Sequence, residues 1–120
     1  MSEERLALEA QFEAELLAAC DKVEHCLHRH NLTTRTLIQK LGAVKAAAEL
    51  VMHPKIQDGF VDLLLIGKSY LTVEYIVCKK KYISLFSEEV RDKAWEKVGF
   101  SARTPKRYFK KKPIILSRFR

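Results

Sequence analysis

Apolar residues recur at helical spacing through the first quarter of the chain. Five of them follow one another at steps of three or four residues: Phe12, Leu16, Cys20, Val23 and Leu27. Steps of this size place side chains on one face of a helix, here between about residues 4 and 30. Glutamates gather near the beginning of this segment and histidines near its end, an arrangement that the helix dipole favours. The pattern predicts a long amphipathic first helix.

Two shorter helices are predicted next, with Gly42 as the break between them. Thr33 or Thr34 is expected to cap the first of these two helices. The apolar positions of that helix are Leu37, Ile38 and Leu41. The second helix is predicted over residues 43–52 and ends before Pro54, because the residue that precedes a proline is disfavoured in the helical region.

The stretch that follows is richer in apolar residues. Asp58 is a predicted N-cap for a short helix over residues 60–66, with Gly67 as its C-terminal stop. Because so many of its residues are apolar, we expect this helix to be buried on several sides. Thr72 can cap a further turn or two over residues 73–77, but the valine, tyrosine and isoleucine there are also good strand formers. Helix and strand both remain open for that segment.

A final helix is predicted to begin after Ser87, which is followed by two glutamates in the first turn. Its apolar positions are Val90, Ala94 and Val98. Gly99 ends it, and the sequence beyond has two prolines and no helical period. We therefore predict an all-α domain over residues 1–100, a compact cluster of about five or six helices with Trp95 partly buried. An extended basic tail is predicted over residues 101–120.

The composition is that of a soluble globular protein. Hydrophobic residues make up 48% of the chain and charged residues 31%, which allows a core and excludes general disorder. No uninterrupted apolar run approaches the roughly 20 residues that span a bilayer, and the first residues lack the pattern of a secretion signal. The cysteines Cys20, Cys26 and Cys78 are odd in number and lack Cys-x-x-Cys spacing. We expect reduced thiols and a cytoplasmic location.

Several short blocks follow one another in order between residues 12 and 100. They are Leu41-Gly42-Ala43-Val44 with Ala46-Ala47 and Leu50, Asp58-Gly59-Phe60, Leu71-Thr72-Val73-Glu74, Leu85-Phe86-Ser87-Glu88-Glu89, and Gly99-Phe100. Together they resemble a family of small bacterial helical proteins and C-terminal domains of unknown function. In that family the position of Ala43 is usually occupied by a second glycine, and a tryptophan is usual near the positions of Leu64 or Leu65. This chain therefore resembles a divergent member. The resemblance implies a helical fold and carries over no catalytic residue.

The densest group of possible metal ligands is formed by His25, Cys26, His28 and His30. His25 and His28 would share one helical face, but zinc requires three or four ligands in a tetrahedral array, which a single helix rarely offers. The only other histidine is His53, beside Pro54. We therefore expect a solvated helix end and no metal.

No arrangement of residues for catalysis is recognisable. None of the cysteines lies in a nucleophile motif. Glu74 is the most suggestive carboxylate, because it lies in an apolar segment and burial raises a carboxyl pKa. The favoured interpretation is a structural partner of a lysine, an arginine or backbone donors. The four glycines are scattered and form neither a phosphate loop nor a dinucleotide fingerprint. We expect a protein that is not an enzyme and needs no cofactor.

The excess positive charge lies in residues 101–120. The formal net charge is +7, yet eight of the 22 lysines and arginines and none of the 15 acidic residues lie in this tail. The eight cations are Arg103, Lys106, Arg107, Lys110, Lys111, Lys112, Arg118 and Arg120. Tyr108 and Phe109 lie among them, with Phe119 near the end, so cations that neutralise phosphates alternate with rings on which bases can stack. The tail predicts binding to DNA or RNA with little sequence preference.

Three other uses of the tail stay open: an acidic protein surface, a solvated segment that aids solubility, and an anionic membrane surface. The membrane is the least favoured, because neither a lipidation signal nor an amphipathic helix accompanies the charges. A second basic spot, residues 79–81, would add to the site if it lay on the same face as the tail.

The alternative function is a protein-interaction module. The apolar segments at residues 60–66 and 70–76 could supply a patch for a partner protein or a second copy. In this interpretation the chain is an adaptor or an inhibitor that docks onto a larger nucleic-acid-processing assembly. Salt-sensitive binding through the tail would favour the first function, and salt-tolerant binding through apolar side chains would favour the second.

Overall fold

The computed structural model describes residues 2–54 and 58–99, with Asp58 described by its backbone alone. Within these residues there are six α-helices, two 3₁₀ helices and no strand. The α-helices are α1 (Glu3–Leu27), α2 (Leu32–Leu41), α3 (Ala43–Met52), α4 (Asp58–Leu65), α5 (Val73–Val77) and α6 (Glu88–Val98). The first 3₁₀ helix is Ser69–Leu71 and the second is Lys80–Leu85. The predicted all-α fold is confirmed for this part of the chain, and the division at residue 100 stays a prediction.

The first helix has the predicted amphipathic face. The Ser2 hydroxyl caps it by accepting a hydrogen bond of 3.0 Å from the Arg5 backbone N–H. Four of the five predicted apolar residues are buried and Leu27 is half-buried. The helix ends at Leu27, three residues earlier than predicted, because His28 turns to a left-handed φ of 54° as the C-cap.

The turn from α1 to α2 is shorter than the sequence suggested. The Asn31 backbone N–H donates a 2.8 Å hydrogen bond to the Glu24 carboxylate, and Arg35 donates to the same carboxylate. These contacts hold Asn31 at the N-cap position, so α2 begins at Leu32. The prediction that Thr33 or Thr34 caps this helix is wrong, since both residues lie in its first turn.

The break between α2 and α3 is confirmed at Gly42. Its φ of 84° and ψ of 160° belong to a backbone region that is essentially restricted to glycine. Because one residue separates the two helices, α3 turns directly back into the core. It ends at Met52, as Pro54 predicts, and it buries its small residues Ala46 and Ala47 completely.

The core forms where α1 meets α3 and the second 3₁₀ helix. Phe12 is fully buried and lies edge-on to the rings of Tyr82 and Phe86, with ring centroids 5.0 and 5.2 Å away. Edge-to-face pairs of this kind contribute about 0.5–1.5 kcal/mol each beyond the burial of their area. Phe12 thus joins the first helix to a segment about 70 residues later in the chain.

The fourth helix differs from its prediction in two ways. It begins at Asp58 itself, so the N-cap assignment of this residue is wrong. It is also not buried on several sides: Phe60 and Leu63 are buried, whereas Val61 and Leu65 are exposed. An eight-residue helix at the surface of a small domain turns only one face to the core, and apolar residues occupy the other face as well.

The segment over residues 73–77 is helical and Leu71 lies in the first 3₁₀ helix, so the strand alternative for residues 71–78 is wrong. The Thr72 hydroxyl accepts a 3.1 Å hydrogen bond from the Tyr75 backbone N–H and donates one of 2.8 Å to the Ser69 carbonyl. The cap therefore satisfies local backbone groups and outweighs the strand preference of the β-branched residues. The last helix begins after Ser87 as predicted, and Trp95 is half-buried.

Candidate interaction surfaces

All ten residues predicted to contact nucleic acid lie outside the described residues. They are Arg103, Lys106, Arg107, Tyr108, Phe109, Lys110, Lys111, Lys112, Arg118 and Arg120. Their role stays a prediction. The surfaces that the structure does describe belong to the helices within residues 2–54 and 58–99, which we call the body.

Large apolar side chains are exposed along α4, the turn after it and the first 3₁₀ helix. They are Val61 at 42%, Leu65 at 79%, Ile66 at 48% and Tyr70 at 49% relative exposure. We call these four residues the apolar surface. A side chain of leucine size that is four-fifths exposed leaves unfavourable contact with water, which a partner would remove.

The apolar surface rests on a defined support. Beneath it, Phe60 and Leu63 are buried, and on its edge the Arg29 guanidinium binds the Asp62 carboxylate. The turn closes where the Lys68 backbone N–H donates a 2.8 Å hydrogen bond to the Leu63 carbonyl. Val61 and Leu65 therefore lie on a helix whose other side is anchored by buried Phe60 and Leu63.

Two lysines of the predicted second basic spot are engaged by one carboxylate. Lys79 and Lys81 both bind Glu15, the latter at 3.3 Å, and the Tyr82 hydroxyl donates to the same group at 2.5 Å. Burial alone would raise the pKa of Glu15, but these three donors outweigh it and lower the pKa to about 2. One carboxylate is shared by two of the three lysines, so the charge of this spot is compensated in part within the body; of the three lysines, Lys80 is the one without a carboxylate contact in the described part of the chain.

Glu74 has the structural role that the sequence favoured. Its carboxylate is 3.6 Å from the Lys97 ammonium, and both residues are about 95% buried or more. Burial raises the pKa of Glu74 and lowers the pKa of Lys97, and the attraction between the two groups opposes each shift. Lys97 also donates to the backbone carbonyls of Leu50 and His53 at 3.3 and 3.0 Å. The pair thus ties α5 and α6 to the C-terminal end of α3.

The histidines and cysteines do not converge on a site. The rings of His25 and His28 are 6.5 Å apart between centroids, and no group of three or more possible metal ligands occurs in residues 2–54 and 58–99. Burial raises the pKa of the Cys20 thiol, and it raises that of Cys78 to about 12. Both thiols are therefore protonated at neutral pH and weak as nucleophiles.

A groove lies between the N-terminal half of α1, the α2–α3 junction and the start of α6. It encloses about 630 Å³. Apolar side chains that line it include Leu6, Val44, Phe86 and Val90, and Glu9 and Glu13 also belong to its lining. We call this feature the α1 groove.

Sequence reasoning missed both the Glu15 cluster and the α1 groove. Glu15 lies beside the apolar face of α1, and its partners are more than 60 residues away in the sequence. No local sequence pattern therefore indicates that it binds them. The groove likewise depends on three segments that are distant in the chain. One signal was available: Leu6, Glu9 and Glu13 share helical spacing, which places two carboxylates beside an apolar residue.

Comparison with protein-family models, curated proteins and solved structures gives no match to this chain. The resemblance of residues 12–100 to a bacterial helical family therefore stays a prediction. None of the helices over residues 2–54 and 58–99 is long and apolar enough to cross a membrane.

Proposed function

We propose that this protein is a non-catalytic accessory protein that binds the backbone of DNA or RNA through residues 101–120. The observation that carries the proposal is the separation of charge along the chain. Residues 1–100 hold 14 lysines and arginines against 15 acidic residues, whereas the tail holds eight cations and no acid. A polyanion therefore gains most by binding the tail, where each neutralised phosphate releases counterions.

The ion pairs of the body support this assignment. Seven cations of the described residues lie within 4.0 Å of a carboxylate: Arg5, Arg29, Arg35, Lys79, Lys81, Lys93 and Lys97. A cation that already has a carboxylate partner gains less from a phosphate. The ion pairs therefore reduce the charge that the body offers to a polyanion, although six other cations of the described residues have no carboxylate of those residues within 4.0 Å: Lys22, Lys40, Lys45, Lys68, Lys80 and Arg91.

Within the tail, cations and aromatic rings have different roles. The eight lysines and arginines contact phosphates and carry no sequence information. Tyr108 and Phe109 lie directly before three consecutive lysines, so their rings can stack on unpaired bases beside the contacted backbone. We therefore assign a preference for single strands with little dependence on sequence.

A salt titration of binding to a labelled oligonucleotide tests the proposal. If about five tail cations contact single-stranded phosphates, log K falls with log salt with a slope of roughly −3 to −4. Replacing Lys110, Lys111 and Lys112 with glutamine removes three contacts and reduces the slope by about 2. The matched control replaces Lys22, Lys40 and Lys80, which are exposed on the body and lack a carboxylate contact in the described part of the chain. Equal slopes for the two triple variants would contradict the proposal.

The aromatic residues are tested separately. Tyr108→Ala with Phe109→Ala is expected to weaken single-strand binding by about 1–3 kcal/mol per stacked base and to leave the salt slope nearly unchanged. Tyr70→Ala serves as the control, because this tyrosine is 49% exposed on the body. A similar loss in the control would show that the rings of the tail have no special role.

A second candidate function, a protein-interaction module, is favoured by the apolar surface. Leu65 and Ile66 are adjacent, well exposed and supported by an anchored helix, as expected for the centre of a protein interface. In this candidate the chain is an adaptor or inhibitor, and the apolar surface docks onto a subunit of a nucleic-acid-processing assembly. The two functions are compatible, since one uses the tail and the other the body.

Binding of nucleic-acid-processing subunits in the presence and absence of nuclease tests this candidate. Ile66→Ser is expected to weaken the contact at both low and high salt, because burial of apolar area is insensitive to ionic strength. Ile83→Ser is the matched control: this isoleucine is 46% exposed, against 48% for Ile66, and lies on the second 3₁₀ helix. Binding that disappears with nuclease and is unaffected by Ile66→Ser would leave only the first function.

A further inference from the structure

We propose that the α1 groove is the docking site of this chain's own basic tail, residues 101–120. The inference rests in part on the proposed function, because docking would hold back the residues that bind nucleic acid. Three observations support it: the groove and the tail have complementary charges, both contain apolar residues, and the tail is long enough to extend to the groove.

The lining of the groove combines apolar residues with two glutamates. Leu6, Glu9 and Glu13 lie on one stripe of α1, so the two carboxylates stand beside the apolar interior. Val44, Phe86 and Val90 contribute apolar atoms from the other walls. Glu9 shares its charge with Arg5 at 3.0 Å, whereas Glu13 is exposed and has no ion pair in the described part of the chain. An occupant with both cationic and apolar side chains fits this lining.

The groove lining has one more carboxylate than it has cations, with Glu9 and Glu13 against Lys45. Glu88 and Glu89 also begin α6 next to the groove residue Ser87. Lys45 is the one cation of the groove lining. The tail, with eight cations and no acid, has the complementary charge.

The tail also supplies apolar residues of the required kind. Residues 113–116 read Pro-Ile-Ile-Leu and follow directly on Lys110, Lys111 and Lys112. Three cations followed by three aliphatic side chains match an apolar groove whose lining includes two glutamates. In a fully solvated cationic tail these aliphatic side chains would stay in contact with water, so their presence favours a partner surface that buries them.

The length of the tail permits the contact within one molecule. The groove residue Val90 precedes Val98, the end of α6, by eight residues, or about 12 Å along the helix. Residue 113 is 14 residues beyond Gly99, and 14 residues of chain reach up to about 46 Å. A tethered segment acts at an effective concentration on the order of millimolar, so weak contacts suffice to keep it docked.

Docking and nucleic-acid binding exclude each other for the same cations. When Lys110, Lys111 and Lys112 face Glu9 and Glu13, they are not available to phosphates. The groove and nucleic acid therefore compete for the tail. A short or weakly charged ligand does not displace the tail from the groove, whereas a long polyanion does.

Zero-length cross-linking of carboxylates to amines in the full chain tests the docking directly. A carbodiimide at low salt and low protein concentration is expected to join Glu9 or Glu13 to Lys110, Lys111 or Lys112, identified by peptide mass spectrometry. Mixing ¹⁵N-labelled and unlabelled protein separates links within one molecule from links between molecules. Glu49 is the reference carboxylate, because it is exposed on α3 and does not line the groove.

The variant Ile114→Ser, Ile115→Ser and Leu116→Ser keeps all eight cations and is expected to reduce the groove links at least fivefold. Links to Glu49 that are as abundant as those to Glu13, links only between molecules, or links unaffected by this variant would each overturn the docking. Oligonucleotide binding is measured in parallel with Glu9→Gln and Glu13→Gln combined, which is expected to raise affinity about threefold. Groove links without any oligonucleotide binding would retain the docking and refute the proposed function, whereas the reverse result would refute only the docking.

Discussion

Replacing Lys97 with methionine removes the only buried ammonium of the described residues while keeping a side chain of similar length. Three contacts are lost together: the ion pair with Glu74 at 3.6 Å and the hydrogen bonds to the carbonyls of Leu50 and His53. Glu74, which is 5% exposed, is left buried without its opposite charge. We expect the free energy of unfolding to fall substantially.

The magnitude follows from these contacts. Removing one partner of a buried ion pair costs about 3–5 kcal/mol, because the remaining charge is desolvated and uncompensated. The backbone carbonyls of Leu50 and His53 also lose their charge-assisted hydrogen bonds, which adds to the loss of stability. His53 is exposed, so its carbonyl can accept a hydrogen bond from water instead. A loss of about 3–5 kcal/mol is a large share of the roughly 5–15 kcal/mol that stabilises a domain. Adding Glu74→Gln to Lys97→Met is expected to recover about half of the loss.

The loss is expected to depend on pH. Burial raises the folded-state pKa of Glu74 above its ordinary 4.5, and without Lys97 that shift is opposed only by the backbone hydrogen bond of the carboxylate. The folded state then binds a proton at higher pH than the unfolded state does. The loss of stability caused by Lys97→Met is therefore complete above the folded-state pKa of Glu74. It becomes smaller as pH falls from that pKa toward 4.5, by up to about 1.4 kcal/mol per pH unit.

Urea unfolding at pH 5 and pH 7.5, followed by helical circular dichroism and by the single tryptophan, Trp95, measures these differences. Lys93→Met is the control, because Lys93 pairs with Glu96 at 3.6 Å on the same helix but is 32% exposed. It is expected to cost less than about 0.5 kcal/mol. Equal effects of Lys97→Met and Lys93→Met, or a double variant less stable than Lys97→Met alone, would refute the reasoning.

Two further substitutions test other parts of the fold. Glu15→Gln is expected to cost about 1–2 kcal/mol at neutral pH, through the charge-assisted bond from Tyr82. Because the folded pKa of Glu15 is about 2 against an ordinary 4.5, this difference from the wild type is present above about pH 4.5 and disappears as pH falls toward 2 in acid-unfolding curves. Gly42→Ala is expected to cost about 1–3 kcal/mol in thermal unfolding, since φ is 84°. A Cβ there meets no atom within 4 Å, so a neutral result would show that the backbone can relax.

Much of the fold could be predicted from local patterns because the responsible contacts are local. Gly42, Pro54 and Ser87 act within one turn of their own positions, so the bounds of α3 and the start of α6 follow from the sequence. The wrong cap at Thr33 or Thr34 has a different cause. The start of α2 is set by Glu24 and Arg35 across the turn, and no rule about adjacent residues includes that contact.

The sequence by itself determined the helical class, most helix bounds and the separation of charge between residues 1–100 and 101–120, since these depend on residue type and spacing. Only the tertiary structure decided which apolar residues stay exposed. Leu63 and Leu65 have the same chemistry, yet one is 3% and the other 79% exposed, because the core lies on one side of α4. The same holds for charge: whether Lys79 is available to a polyanion depends on Glu15, which packing brings beside it from 64 residues away.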